Sequence, residues 1–199
     1  MSDSVPTWLL ILFNESMSVV FRLFHFSRAK LLYKLNSCRS ASSICTVEDK
    51  QNLVKRLLEA KLDSGLTFDE IASRCQITNV HCAQLFHNQA RLSPKLAATL
   101  KQLVPALQDD DLREMQRCPL RIADPLLMHD PAVYRFHELV VQYGKSLKSL
   151  IEEKFGDGIM SAIDFQMTLS EAPGKSGERR VVIRMDGKFL PRVEPTQLD

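Results

Sequence analysis

FGDGIMSAIDFQMTL, from Phe155 to Leu169, changes its hydrophobic period part-way along. Just upstream, Leu147, Leu150 and Ile151 recur at helical spacing. After Gly156-Asp157-Gly158 the period becomes two. Ile163, Phe165, Met167 and Leu169 alternate with Asp164, Gln166 and Thr168, the pattern of a half-buried strand. Ser161 opens that strand and shares parity with Ile163, so its side chain is expected on the apolar side. The stretch Pro173 to Gly177 reads as a loop. Val181, Ile183 and Met185 make a second strand, and Asp186-Gly187 is expected to turn it towards Phe189 and Leu190.

Working back from this hairpin, Asp130-Pro131 is a cap followed by proline at the first helical position. The spacing predicts a helix over 131–143, with Val133, Phe136, Leu139 and Val140 as its apolar set. Gly144 should break it, and a second helix should cover 145–155. Pro119 to Pro125 reads as a linker. An isolated two-stranded hairpin is marginal in water. The expectation is therefore that this hairpin pairs with another subunit.

Further upstream the periodicity is helical throughout. Leu53, Val54, Leu57, Leu58 and Leu62 form one face, and Gly65 ends that helix. Thr67 and Glu70 make a capping box for a short helix to about Cys75. Thr78 caps the next, through about Asn88. Ser93-Pro94 starts another that Pro105 should end, and Asp109 to Asp111 suit the start of a fifth, near 111–117. The fold class is thus α+β. A five-helix bundle of helix-turn-helix (repressor-like) type is followed by a small C-terminal domain of two helices and a β-hairpin that pairs between subunits. The expected parts are an N-terminal extension over 1–47, the bundle over 48–118, and a catalytic and oligomerisation domain over 119–199.

Composition narrows the class of function. The chain has 199 residues, is 45% hydrophobic and 25% charged, and carries a formal charge of +2. Residues 1–47 hold Arg22, Arg28, Lys30, Lys34 and Arg39 against Asp3 and Glu15, a net of +3, which leaves −1 for the remainder. The near-neutral remainder does not call for nucleic acid or an acidic partner. The apolar run from Val5 to Phe13 is too short to span a bilayer, which takes about 20 residues. No basic residue precedes it, as a secretory signal requires. From Ser16 to Cys45 the tail is rich in Arg, Lys and Ser and has no acid, which is transit-peptide composition. A disordered extension and a start assigned upstream of a shorter protein are the alternatives. The expected location is cytoplasmic, or mitochondrial if the tail is a transit peptide. Five cysteines (Cys38, Cys45, Cys75, Cys82 and Cys118) are odd in number and contain no C-x-x-C, so reduced thiols are expected rather than disulfides or a metal site.

The segment from Thr67 to Asn88 has helix-turn-helix character, and Asn79, Val80, His81 and Gln84 occupy the positions that read bases in repressors. Asn79 and Gln84 have suitable chemistry. Phosphate binding needs Lys or Arg, however, and none lies between Cys75 and Ala90. The bundle is read as structural, and His81 and His87 as surface or packed histidines.

The candidate chemistry lies in YRFHE, Tyr134 to Glu138, together with the strand start. Arg135 and Glu138 are three apart, on one helix face. Singly, each has an ordinary reading: an ion-pair arginine, a solvated carboxylate, a small residue at a strand end. As a set they differ. A guanidinium suits small planar anions. A hydroxyl turned to the apolar side needs a partner. The Gly-Asp-Gly turn offers N–H groups for an anion nest. No histidine is placed for a Ser-His-Asp triad; His137 lies on a different face from Arg135.

These segments resemble the cyanases (cyanate hydratases, also called cyanate lyases). The resemblance runs from about Leu53 to Pro191. LTFDEIA and AQLF-x-x-QA are similar to the family's N-terminal helical domain. DPAVYRFHE with VVQYGKSLKSLIEEKFGDGIMSAIDF is similar to its catalytic segment, and DGKFLP to its C-terminal signature. The family's catalytic arginine, glutamate and serine fall on Arg135, Glu138 and Ser161, while no role attaches to His137. The resemblance implies decomposition of cyanate with bicarbonate as co-substrate and without metal or organic cofactor. It also implies a homo-oligomer, a decamer built from intertwined dimers, with sites between subunits. DNA and membrane are not expected partners.

Overall fold

The computed structural model describes residues 46–122 and 124–195. The extension read over 1–47 lies outside the described residues except for Thr46 and Val47. Thr46 caps the first helix.

Five helices come first: α1 (Val47–Asp63), α2 (Phe68–Cys75), α3 (Asn79–Phe86), α4 (Pro94–Leu103) and α5 (Asp109–Met115). Their boundaries follow from local chemistry. Gly65, at φ +66°, closes α1. The Thr67 hydroxyl accepts from the Glu70 N–H at 3.2 Å, and the Glu70 carboxylate accepts from the Thr67 N–H at 2.7 Å, so the expected capping box forms. Thr78 and Ser93 cap α3 and α4. The fifth helix starts two residues earlier than expected, because all three aspartates Asp109 to Asp111 sit in its first turn against the positive end of the helix.

The core of the bundle is made from all five helices and the turns between them. Leu57, Ile71, Phe86, Leu92, Leu100, Val104, Leu107 and Met115 are fully buried. Leu62, expected on the apolar face of α1, is exposed. At 100° per residue it lies half a turn round from Leu53, and Ala60 takes the buried place instead. Lys50 is buried in α1, with its ammonium donating to the carbonyls of Asn88 at 2.7 Å and Leu120 at 2.5 Å. The chain leaving α5 is thereby tied back to the bundle.

Acid should loosen these caps. Hydrogen bonds from the Thr67 backbone and hydroxyl hold Glu70 below the ordinary carboxylate range, and those from the Thr46 hydroxyl and backbone do the same for Asp49. A carboxylate with a depressed folded-state value contributes stability that is fully present above its unfolded value. That contribution is lost as pH falls through the folded value. The melting temperature should therefore fall between about pH 5 and pH 3, and Glu70→Gln should flatten that limb. Thermal unfolding followed across this range checks it; parallel curves for the two proteins would refute it.

Beyond the bundle come a short 3₁₀ helix (Pro125–His129), α6 (Pro131–Phe155), and an antiparallel pair, β1 (Gly158–Pro173) and β2 (Arg179–Pro191). Asp130 caps α6 by accepting from the N–H groups of Ala132 and Val133. Two sequence expectations fail here. Gly144 does not break the helix: α6 is continuous across it, because a single glycine costs a helix only about 1 kcal/mol relative to alanine. Asp186-Gly187 is not a turn: β2 runs straight through it, with Gln166 opposite Asp186 and Phe165 opposite Gly187. The turn lies instead at the expected loop, where the Gly174 N–H donates to the Glu178 carbonyl at 2.7 Å.

Asn79 ties the hairpin to the bundle. Its amide nitrogen donates to the Leu169 carbonyl at 2.6 Å, and its amide oxygen accepts from the Leu169 N–H at 3.1 Å. It thus serves β1 as a neighbouring strand would. The candidate base-reading residue is already engaged within the chain. Among the described residues no helix is long and apolar enough to cross a membrane.

Candidate active site

Arg135 and Glu138 project from the second turn of α6, whose start is set by the Asp130 cap and Pro131. The guanidinium of Arg135 meets the Glu138 carboxylate at 2.5 Å. The hydrogen bond and the charge of Glu138 push the arginine further into its charged form. The sequence spacing and the geometry agree on this pair. In a single protomer the Arg135 side chain is 70% exposed, so it stands in water with its partner.

Ser161 lies three residues inside β1 rather than at its start. It is 6% exposed, and it is the one buried residue among the described residues beyond Met115. Strand parity does not explain this, since Ile163, which shares its parity, is 98% exposed. The reason is a break in register. Met160 pairs with Phe189 and Phe165 with Gly187, so residues 161–164 on β1 face only Lys188 on β2. The chain bulges there, and alternation is suspended. Inside the bulge the Ser161 Oγ accepts from the N–H of Ile163 at 3.1 Å and of Asp164 at 3.0 Å. A serine hydroxyl has two acceptor positions and one proton. With both acceptor positions filled, what remains is the proton, and the group can only donate.

In the Gly-Asp-Gly turn one N–H group, that of Gly156, is already engaged and is not free for the expected nest. The Gly156 N–H is committed to the Glu152 carbonyl, and Asp157 accepts from the Arg192 N–H. The turn closes α6 and fastens the end of β2. Among the described residues Ser161 makes no hydrogen bond to Arg135 or Glu138. One protomer thus holds an arginine–glutamate pair on a helix and a hydroxyl donor in a strand bulge, each separately formed.

Both segments fall within residues 125–194, which match the family model for the cyanate lyase C-terminal domain. The chain is 47% identical over 142 residues to a cyanate hydratase of Phaeodactylum tricornutum, covering 71% of this chain and 74% of that one. It is 43% identical over 145 residues to a cyanate hydratase of Arabidopsis thaliana, covering 73% and 86% respectively. This chain belongs to the cyanate lyase family. Its fold agrees with that of a solved cyanase from T. urticae, with a TM-score of 0.63 at 35% identity, over 72% of this chain and 99% of that one. Family membership accounts for the ordering seen here, a helical bundle followed by a long helix and a hairpin. The bulge around Ser161 was not legible in the sequence. Its only trace is a hydrophobic alternation that begins at Ile163, after the serine and not before it.

Proposed function

We propose that the chain decomposes cyanate with bicarbonate as co-substrate, at a site made of Arg135, Glu138 and Ser161. Family membership carries the coarser part: the chain is a lyase acting on cyanate. The finer part rests on Ser161, a buried hydroxyl whose oxygen is held by two N–H groups and whose proton is left for an anionic ligand.

In this reading a bicarbonate oxygen attacks the cyanate carbon. The adduct loses carbon dioxide to leave carbamate, and cleavage of the carbamate C–N bond gives ammonia and a second carbon dioxide. The reactants are both anions. At about 4 Å their repulsion is roughly 4 kcal/mol for an effective dielectric of 20. Arg135 offsets that repulsion and stabilises the dianionic adduct. Ser161 donates to a substrate oxygen. Glu138 holds the guanidinium in place, or orients substrate, and relays a proton. Cyanate and bicarbonate enter charged while ammonia and carbon dioxide leave neutral, so turnover takes up protons. No metal or organic cofactor is required by this chemistry.

The reading includes an assembly, a homo-oligomer with the decamer of dimers as its expected form. A water-exposed guanidinium gains little from an anion, since exposed ion pairs contribute about 0–1 kcal/mol. Arg135 therefore needs water excluded around it, and a second subunit is the means available. Ammonia release from cyanate should be brisk with bicarbonate present and should stop when bicarbonate is stripped out. Release at the same rate in both conditions would overturn the mechanism, and no release from an assembled oligomer would overturn the function.

A further inference from the structure

We infer that Gly187 is a positioning residue for Ser161. This rests on the reading of Ser161 as a substrate donor. The bulge at 161–164 has to go somewhere, and it lies over the β2 backbone at Gly187. A Cβ at Gly187 would sit 2.6 Å from the Ser161 carbonyl oxygen, 2.6 Å from the Met160 Cγ and 3.1 Å from the Phe165 ring. The backbone of Gly187 is not left-handed, in contrast to Gly65, Gly156 and Gly177. Its lack of a side chain therefore serves space and not conformational freedom. Met160 is flexible and can swing away. The Ser161 carbonyl cannot move without moving Ser161 itself, and with it the two N–H groups that hold the hydroxyl oxygen. The Asp186-Gly187 pair, which resembles a turn signal, is thus the floor beneath the bulge.

Gly187→Ala should leave the oligomer intact and lower kcat for cyanate by tenfold or more, with a smaller change in KM. The cost should vanish in the background of Ser161→Ala, because both changes act on one group. Adding Met160→Ala to Gly187→Ala should not restore activity, since the obstacle is backbone. Wild-type kcat in Gly187→Ala, full additivity with Ser161→Ala, or rescue by Met160→Ala would each overturn the inference. If Gly187→Ala fails to assemble, amide exchange in the assembled Ser161→Ala protein decides instead. The N–H groups of Ile163 and Asp164 should exchange faster there than in wild type, and unchanged exchange would overturn the cradle that Gly187 is inferred to support. Lack of bicarbonate-dependent turnover in the wild-type protein would remove the reaction itself, whereas an active wild type with an equally active Gly187→Ala would remove only the role of Gly187.

Discussion

Replacing Arg135 with alanine should lower kcat by about 10³-fold and leave the assembly unchanged. The magnitude is that of losing a preorganised donor at developing negative charge, which costs about 10²–10³ in rate, with the loss of a full positive charge placing it at the upper end. The folded state should barely notice. Among the described residues the guanidinium pairs only with Glu138, and both side chains are solvent-facing in the protomer. Arg135→Lys keeps the charge but loses the planar fork that two oxyanions can share. It should recover part of the rate, to within about 10²-fold of wild type. Steady-state kinetics together with sedimentation check both halves. Substantial activity in Arg135→Ala would remove the arginine from the chemistry. Loss of assembly would make it an interface residue instead.

Much of the fold could be read from residue types, because local chemistry decides it. Thr67, Thr78, Ser93 and Asp130 all cap the helices they were expected to cap, since each has a side-chain oxygen within reach of the first N–H groups. The errors have other causes. Gly144 and Asp186-Gly187 carry the composition of breaks, and the chain runs through both. Gly144 is carried by the helix on either side of it at a cost of about 1 kcal/mol, and nothing crowds it. Gly187 is crowded by the bulge. Ser161 shows the same limit at the candidate site. Its burial was expected from parity with Ile163, and it is buried while Ile163 is not. Register depends on the partner strand, which no single-strand pattern contains. Arg135 and Glu138 needed only helix spacing to be paired, and that pairing was legible.

The bundle and the hairpin region also differ in what they bury, and this difference leads to the other large effect. Among the described residues every buried hydrophobic side chain lies between Leu53 and Met115. On α6 no residue is buried, and Val140, Val141, Tyr143 and Leu147 are between 54% and 68% exposed. Ile159, Ile163 and Val181 on the hairpin are exposed by 61% or more. Burying one large apolar side chain is worth about 1.5–3 kcal/mol, so a protomer that left this set in water would forgo most of what could hold its C-terminal part together. Apolar surface of this extent is what the proposed assembly would cover. Val140 and Leu147 are seven residues apart and therefore share one face of α6. Changing both to aspartate would place two unpaired carboxylates on that face, at a cost of several kcal/mol if it is covered. The double variant should sediment as smaller species and release ammonia from cyanate at least 10²-fold more slowly, although Arg135, Glu138 and Ser161 are untouched. The helical bundle should stay folded, because its core is complete within the protomer. Sedimentation velocity, far-ultraviolet circular dichroism and the ammonia assay together test this. A wild-type protein that sediments as a fully folded, active monomer would end the argument, since the exposed face would then need no cover and Arg135 would work in open water.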